Sequence, residues 1–198
     1  MPEAGRDTSS GTLVDMITGD KSIFAIEFYT DSDLNPSHHV FGQMCVWIAG
    51  KFLGDISETN CILGVSRTDL ERFLVKLKSH KNGEFAELSD LESFELLHLK
   101  LYGDEECTEE QIKEDGDKYW RYNFLTNGGE SFDPYTSFAV TQDESIRFLW
   151  KNWNTKEFSS GVAPKDIVLK VISEWLSVIE KEKLTMSASQ RAPRVAAD

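Results

Sequence analysis

Two apolar segments near the start of the chain predict the beginning of a β-sheet. Residues 23–29 form an almost continuous apolar run, interrupted by a single glutamate, and such a run is typical of a strand covered on both faces. Residues 40–49 are rich in β-branched and aromatic side chains and are bounded by turn-forming residues, as expected for a second strand. A tight turn then leads into residues 52–55, which we predict to be a third strand. The segment 16–55 is therefore predicted to form part of a sheet.

Two helices are predicted next, because the apolar residues now recur at helical spacing. Ser66 is placed to cap a helix whose apolar face includes residues 70–77, and Gly83 follows as a helix-terminating residue. Ser89 and Glu92 have the spacing of a capping box. The apolar positions that follow this box fit a helix better than a strand, and we predict a second helix there.

The pattern after residue 118 predicts three more strands and one long amphipathic helix. Residues 119–125 have the composition of a strand, and residues 137–140 and 145–151 that of a hairpin. Pro164 suits the first turn of the final helix, and the apolar stripe within residues 167–179 indicates that this helix lies on a sheet. The pattern predicts an α+β fold with a mostly antiparallel sheet of about six strands and about three helices packed on it.

The ends of the chain differ in composition from its middle. Residues 1–15 and 185–198 are small and polar, and we predict a disordered leader and a disordered tail around a single folded domain, residues 16–184. The leader lacks the basic and apolar regions of a secretory signal, and no apolar run approaches the ~20 residues needed to cross a bilayer. The three cysteines show no metal-binding spacing and are predicted to be free thiols in a reducing cytoplasm.

The charge of the chain is strongly negative and is concentrated in one segment. The 198 residues carry a formal net charge of −13, which argues against a nucleic-acid ligand and suits a basic protein partner. Residues 87–117 hold twelve acidic and two basic side chains. This segment is either a solvated, self-repelling surface or a docking surface, and aromatic residues follow it. The candidate partner-binding residues are Asp104, Glu105, Glu106, Glu109, Glu110, Glu114, Asp115, Asp117, Tyr119 and Trp120.

No motif in the chain predicts a catalytic, metal or cofactor site. The segment 31–42 begins like a calcium loop, but Pro36 and Gly42 stand where such a loop needs glycine and glutamate. Adjacent histidines at 38 and 39 would point to opposite faces of a strand, and the glycines at 128 and 129 lack the other residues of a phosphate loop. We therefore predict no catalytic residues, no metal and no cofactor.

Two other classes of function stay open on the residues alone. One is a small hydrolase or transferase whose site is not visible in the sequence, which a deep pocket with convergent polar groups would favour. The other is an adaptor or carbohydrate-binding module that uses exposed tryptophans, for which Trp120, Trp150 and Trp153 are the candidates.

Three short motifs, at residues 19–27, 42–55 and 147–150, together resemble those of the immunity protein 42 family of bacterial polymorphic toxin systems. The family start G-D-x-x-x-F-A-I-E corresponds to residues 19–27, and a second strand with G-x-x-x-x-W-I-x-G that ends in G-D corresponds to residues 42–55. A C-terminal R-x-L-W corresponds to residues 147–150, and the resemblance extends over residues 16–184. The matching positions are Gly19, Asp20, Phe24, Ala25, Ile26, Glu27, Gly42, Trp47, Ile48, Gly50, Gly54, Asp55, Arg147, Leu149 and Trp150.

The resemblance implies a cytoplasmic immunity protein that binds and neutralises a cognate toxin, a contact-dependent or secretion-system effector, by direct protein–protein interaction. It implies a protein partner, not nucleic acid or a membrane. Members are similar in scaffold and differ in target, so no toxin-binding residue transfers from the family. The acidic segment is our candidate for the specificity surface, and a basic toxin domain such as a nuclease would complement it.

Overall fold

The computed structural model describes residues 16–31, 39–58, 60–81, 83–103 and 107–191, with side chains described as far as residue 183. Outside these ranges lie the predicted leader, residues 32–38 and the last seven residues. Three of the candidate acidic residues, Asp104, Glu105 and Glu106, also lie outside them.

The described residues include two antiparallel sheets and four α-helices. The first sheet contains β1 (Met16–Asp20), β2 (Phe24–Thr30), β3 (Phe41–Ile48) and β4 (Lys51–Leu53) in that order, with β5 (Cys61–Ile62) beside the start of β3. The second sheet contains β6 (Tyr135–Gln142), β7 (Ser145–Asn152) and β8 (Phe158–Pro164) in that order. The helices are α1 (Leu63–Lys76), α2 (Asp90–Tyr102), α3 (Glu109–Tyr119) and α4 (Lys165–Arg191). The predicted α+β class is confirmed, although the described strands number eight and divide between two sheets.

The larger hydrophobic core joins the first sheet, the second sheet and α4. Phe24 of β2 stacks on Phe148 of β7 with 5.5 Å between ring centroids. Trp175 of α4 is fully buried and meets Phe28 edge-on at 6.0 Å. The apolar stripe predicted for the last helix is therefore the face that α4 packs into the core, as its buried residue Ile172 also shows.

A smaller core lies on the opposite face of the second sheet, where α2 covers it. Successive side chains of a strand point to opposite faces, so Phe148 of β7 enters the larger core and Leu149 enters the smaller one. Phe94 and Leu97 of α2 pack there together with Phe138 of β6. The second sheet is thus a middle layer, and it connects the first sheet to the helices that carry the acidic segment.

Two sequence predictions about helix and strand positions are wrong. Helix α1 begins at Leu63, and Ser66 is a buried residue of its first turn whose hydroxyl donates to the carbonyl of Gly128, so it is not the cap. The strand predicted at residues 119–125 is instead the end of α3 followed by a 3₁₀ turn, Trp120–Tyr122. Tyr119, Tyr122 and Phe124 are buried like residues of a strand, but the segment follows a helix that starts upstream.

Strand β8 was not predicted, because its sequence is rich in serine and contains a glycine and a proline. Gly161 lets this strand approach the first sheet closely, since a Cβ there would lie 2.8 Å from Cγ2 of Ile48. Pro164 ends β8, so that α4 begins at Lys165, one residue after the predicted helical proline. The backbone of α4 then remains helical through Arg191, beyond residue 184, where we predicted the folded part to end.

Candidate partner-binding surface

Helices α2 and α3 follow one another along the chain, and each begins with a reciprocal cap. The Ser89 hydroxyl accepts from the amide of Glu92 at 3.3 Å, and the Glu92 carboxylate accepts from the amide of Ser89 at 2.8 Å, which confirms the predicted capping box. Hydrogen bonds from Ser89 hold the pKa of Glu92 below its usual value. Thr108 and Gln111 form the same arrangement at the start of α3. Because both helices are capped, α2 and α3 form a defined helical pair, which we call the α2–α3 pair.

Arg147 joins the start of α2 to the second sheet. Its guanidinium donates to the carbonyls of Phe85 and Leu88 at 3.1 and 3.2 Å and to the hydroxyl of Ser93 at 2.9 Å. It also lies 3.3 Å from a carboxylate oxygen of Asp90. The side chain is 8% exposed, so these acceptors replace the water that a guanidinium needs. Arg147 belongs to the R-x-L-W motif, and its contacts position the helix pair on the sheet.

Four of the candidate acidic residues lie on the exposed surface of α3. The side chains of Glu109, Glu110, Glu114 and Asp117 are all exposed. Like charges at this spacing repel one another, and the resulting field extends about 10 Å into solvent at moderate salt. These four acids form the surface that we call the acidic face of α3.

The other candidate residues on α3 have contacts within the chain. Asp115 is only partly exposed and accepts from the ammonium group of Lys100 at 3.1 Å, which ties α3 to α2 and raises the pKa of Lys100. Tyr119 is buried in the smaller core, and its hydroxyl accepts from Lys118 at 2.8 Å. Trp120 remains 42% exposed. Of the two aromatic candidates, Trp120 therefore reaches the surface and Tyr119 supports the helix.

A groove of about 470 Å³ runs between the end of α2 and α3. Tyr102 and Trp120 form its aromatic side, with 6.2 Å between ring centroids, and the Tyr102 hydroxyl donates to Asn123 at 3.1 Å. Ile112 on α3 is 60% exposed at the groove. Its lining residues are Lys100, Leu101, Tyr102, Gly103, Cys107, Ile112, Asp115, Gly116 and Trp120. The acidic face therefore borders an exposed apolar surface, a combination common at protein interfaces.

Glu27 and Trp47, which belong to the first two motifs, are hydrogen-bonded to each other on the outer face of the first sheet. Glu27 is 8% exposed, and its carboxylate accepts from the Trp47 indole at 2.6 Å and from Lys21 at 2.8 Å. Burial raises the pKa of Glu27, but these two bonds outweigh burial and leave the pKa below its usual value. Burial and the nearby carboxylate raise the pKa of Cys45 to about 12, so this thiol is a packed side chain and not a nucleophile.

The remaining candidate features do not assemble into a metal or carbohydrate site in the described part of the chain. Among the described residues, no group of three or more histidine, cysteine or acidic side chains could hold a metal ion. Trp150 is 3% exposed and belongs to the larger core, whereas Trp153 is 41% exposed and packs against His98 at 4.9 Å. None of the described helices is long and apolar enough to cross a membrane.

The described residues thus define an α+β protein with an acidic, partly apolar surface suited to a macromolecular partner. The family model for immunity protein 42 matches residues 16–178, and the chain belongs to this family. CdiI from Burkholderia dolosa AUO158 has a similar crystal structure, with a TM-score of 0.58 and 19% identity over 82% of this chain and 99% of that chain. A comparison with curated proteins found no match.

Family membership confirms the resemblance that the three motifs indicate, and with it the functional class. The chain is an immunity protein of a bacterial toxin system, and its partner is a cognate toxin. Sequence reasoning found the acidic residues through their density along the chain. It missed Tyr102, Ile112 and Gly116, which come together only because two helices pack side by side.

Proposed function

We propose that this immunity protein neutralises its toxin without catalysis, by direct binding through the acidic face of α3 and the adjoining groove. The toxin domain is basic, a nuclease being the class that best fits this charge, and the encounter takes place in the bacterial cytoplasm. The observation that supports the proposal most strongly is the exposure of four acids, Glu109, Glu110, Glu114 and Asp117, on one short helix.

Electrostatics explains how such a surface would act. Lys100 pairs with Asp115, which leaves the four exposed acids of α3 against the two exposed lysines of this helix, Lys113 and Lys118. The surface of α3 therefore keeps a negative charge, and such a field can raise the rate of association with a basic protein ~10- to 1000-fold. A nuclease needs a basic cleft to bind phosphates, so an acidic inhibitor can compete for that cleft.

The contacts of His80 also support a binding role. The ring of His80 lies 3.1 Å from the Thr141 hydroxyl and 2.9 Å from the carbonyl of Arg121, and burial lowers the pKa of this histidine. Both ring nitrogens are thereby occupied by structural hydrogen bonds. A general base must have a nitrogen facing substrate, so this arrangement favours a structural histidine.

A charge-reversal experiment tests the proposal. The four acids of the acidic face are replaced by lysine, and binding to a catalytically inactive form of the toxin domain encoded beside this gene is followed by stopped flow. The association rate constant should fall ~10- to 1000-fold at low salt, and the difference should shrink as salt is added. Single replacements should cost only about 0–1 kcal/mol each.

The control variant replaces four other exposed acids by lysine, so that its total charge equals that of the α3 variant. Asp133, Glu144, Asp166 and Glu174 are exposed and lie outside the α2–α3 pair. Asp166 lies in the first turn of α4, as Glu109 and Glu110 do in α3, so the control loses one helix-dipole contribution of about 0.3–1 kcal/mol and the α3 variant loses two. Equal loss of association in both variants would mean that only net charge matters. Unchanged association in the α3 variant, with intact protection of cells that express the toxin, would refute the proposed surface.

A further inference from the structure

The packing of the described residues does not require a glycine at position 116 of α3. It lies in the interior of the helix, where glycine is unfavourable because it loses the most backbone freedom on folding. Apart from its chain neighbours and the adjacent backbone of α3, a Cβ atom built there would meet no heavy atom of the described residues within 4 Å. The glycine therefore weakens the helix without relieving a close contact among the described residues.

The position of Gly116 along the helix links it to the groove. Ile112 and Trp120 lie four residues before and after it, so the three positions follow one another along one side of α3 and the turn that succeeds it. Ile112 is 60% and Trp120 is 42% exposed, and all three residues line the groove. The missing side chain at position 116 leaves space beside these two apolar groups, in a groove that Tyr102 also lines.

The surroundings of this opening favour a long cationic side chain. The acidic face of α3 attracts positive charge towards the groove, where Asp115 is paired with Lys100. The ring of Trp120 already takes one cation, the Lys76 ammonium 5.5 Å from its centroid, and Lys76 lines a separate pocket. An arginine can lay its aliphatic stem along apolar surface and stack its planar guanidinium on aromatic rings, here Tyr102 and Trp120. Lysine suits the site less well, because its ammonium is more strongly hydrated and does not stack.

We propose that the groove between α2 and α3 is the anchor pocket for an arginine side chain of the toxin, and that Gly116 keeps this pocket open. The proposal rests on the proposed function and adds the chemistry of the central contact. Arginine, tryptophan and tyrosine are the residues most often found at the energetic centre of an interface, surrounded by contacts that mainly exclude water.

Filling the pocket tests the inference without changing any charge. Gly116→Ala should raise the melting temperature by roughly 2–4 °C, because alanine favours the helix. Gly116→Leu should raise the dissociation rate constant of the complex with the inactive toxin domain roughly 10- to 100-fold, with little change in association, since short-range contacts govern dissociation. Ser173→Leu, on the exposed side of α4, adds similar bulk away from the groove and should leave both rate constants unchanged.

The rate constants separate this inference from the proposed function. If Gly116→Leu is folded and dissociates at the wild-type rate while the charge-reversed variant associates slowly, the pocket is refuted and the acidic surface stands. If charge reversal has no effect but Gly116→Leu accelerates dissociation, the pocket stands and the electrostatic part of the proposed function is refuted.

A double-mutant cycle tests the identity of the occupant. Each arginine of the toxin is changed to lysine and combined with Trp120→Ala. One arginine should show an effect on dissociation that largely disappears when Trp120 is absent. If no arginine couples to Trp120, the occupant is not arginine and that part of the inference is overturned.

Discussion

Replacing Arg147 by methionine should destabilise the protein and loosen the α2–α3 pair before the rest of the fold. Methionine retains an apolar stem but leaves the carbonyls of Phe85 and Leu88 and the hydroxyl of Ser93 without the donor that they face in the wild-type structure. Hydrogen bonds to a charged group contribute about 1.5–3 kcal/mol each, which gives roughly 5–9 kcal/mol for three.

The net loss should be smaller than that sum. Burying the guanidinium itself costs free energy, and its Nε is buried without a hydrogen-bond partner among the described residues. Removing one partner of a buried charged network typically costs about 3–5 kcal/mol, and we expect Arg147→Met to fall in that range. Arg147→Lys, which keeps the charge but cannot reproduce the guanidinium geometry, should lose less.

Urea unfolding combined with hydrogen exchange measures both the size and the place of the effect. The midpoint of unfolding should fall, and amides of residues 85–102 should exchange faster than those of β2 and β3 under native conditions. A loss below about 1 kcal/mol, or equal acceleration throughout the chain, would refute the assignment of Arg147 as the link between the sheet and the helix pair.

Two further predictions concern the scaffold. Trp175→Ala should cost about 3–5 kcal/mol in urea unfolding, because the side chain is fully buried against Phe28, and a soluble mutant of wild-type stability would contradict the described packing of α4. The lowered pKa of Glu27 means that its ionised form stabilises the fold above the unfolded-state pKa of about 4.3, and that this contribution is lost as the pH falls through the lower folded-state value. Unfolding midpoints measured from about pH 6 to pH 3 should therefore fall less steeply for Glu27→Gln than for the wild type, and parallel curves would show that Glu27 does not titrate with folding.

The sequence predicted the scaffold well because its signals are local. The caps at Ser89 and the stripe of α4 depend on spacing within one helix, and the paired strands of the first sheet depend on apolar runs. The strand predicted at residues 119–125 was wrong because burial by itself does not distinguish a strand from a helical turn: Tyr122 and Phe124 are fully buried in the 3₁₀ turn and the residues after it. The residue that indicates a helix is the cap Thr108, directly before Glu109 and Glu110.

The sequence predicted only part of the candidate surface, because only part of it depends on local signals. Charge density along the chain indicates where acids are exposed, and four of them are on the surface of α3. The groove depends on the packing of α2 against α3, and the role of Arg147 depends on acceptors more than fifty residues away in the chain. Long-range contacts of this kind leave no periodic signal in a single sequence.

Helix α3 combines residues that favour a helix, such as glutamates followed by lysines four residues later, with three features that disfavour it. Glu110 and Glu114 are like charges four residues apart, which costs about 0.2–0.5 kcal/mol, and Gly116 costs about 0.5–1 kcal/mol more. Asp117 adds to the negative charge near the end of the helix, where the dipole disfavours it.

Contacts at the ends and inner side of α3 offset these costs. The cap at Thr108 contributes about 1 kcal/mol, Asp115 pairs with Lys100 of α2, and Tyr119 is buried in the smaller core. All three contacts lie away from the acidic face of α3. They hold the helix in place but do not relieve the repulsion among the acids of that face. A basic partner that neutralises the acids would relieve the repulsion among them, which is the thermodynamic argument for the proposed toxin recognition on α3.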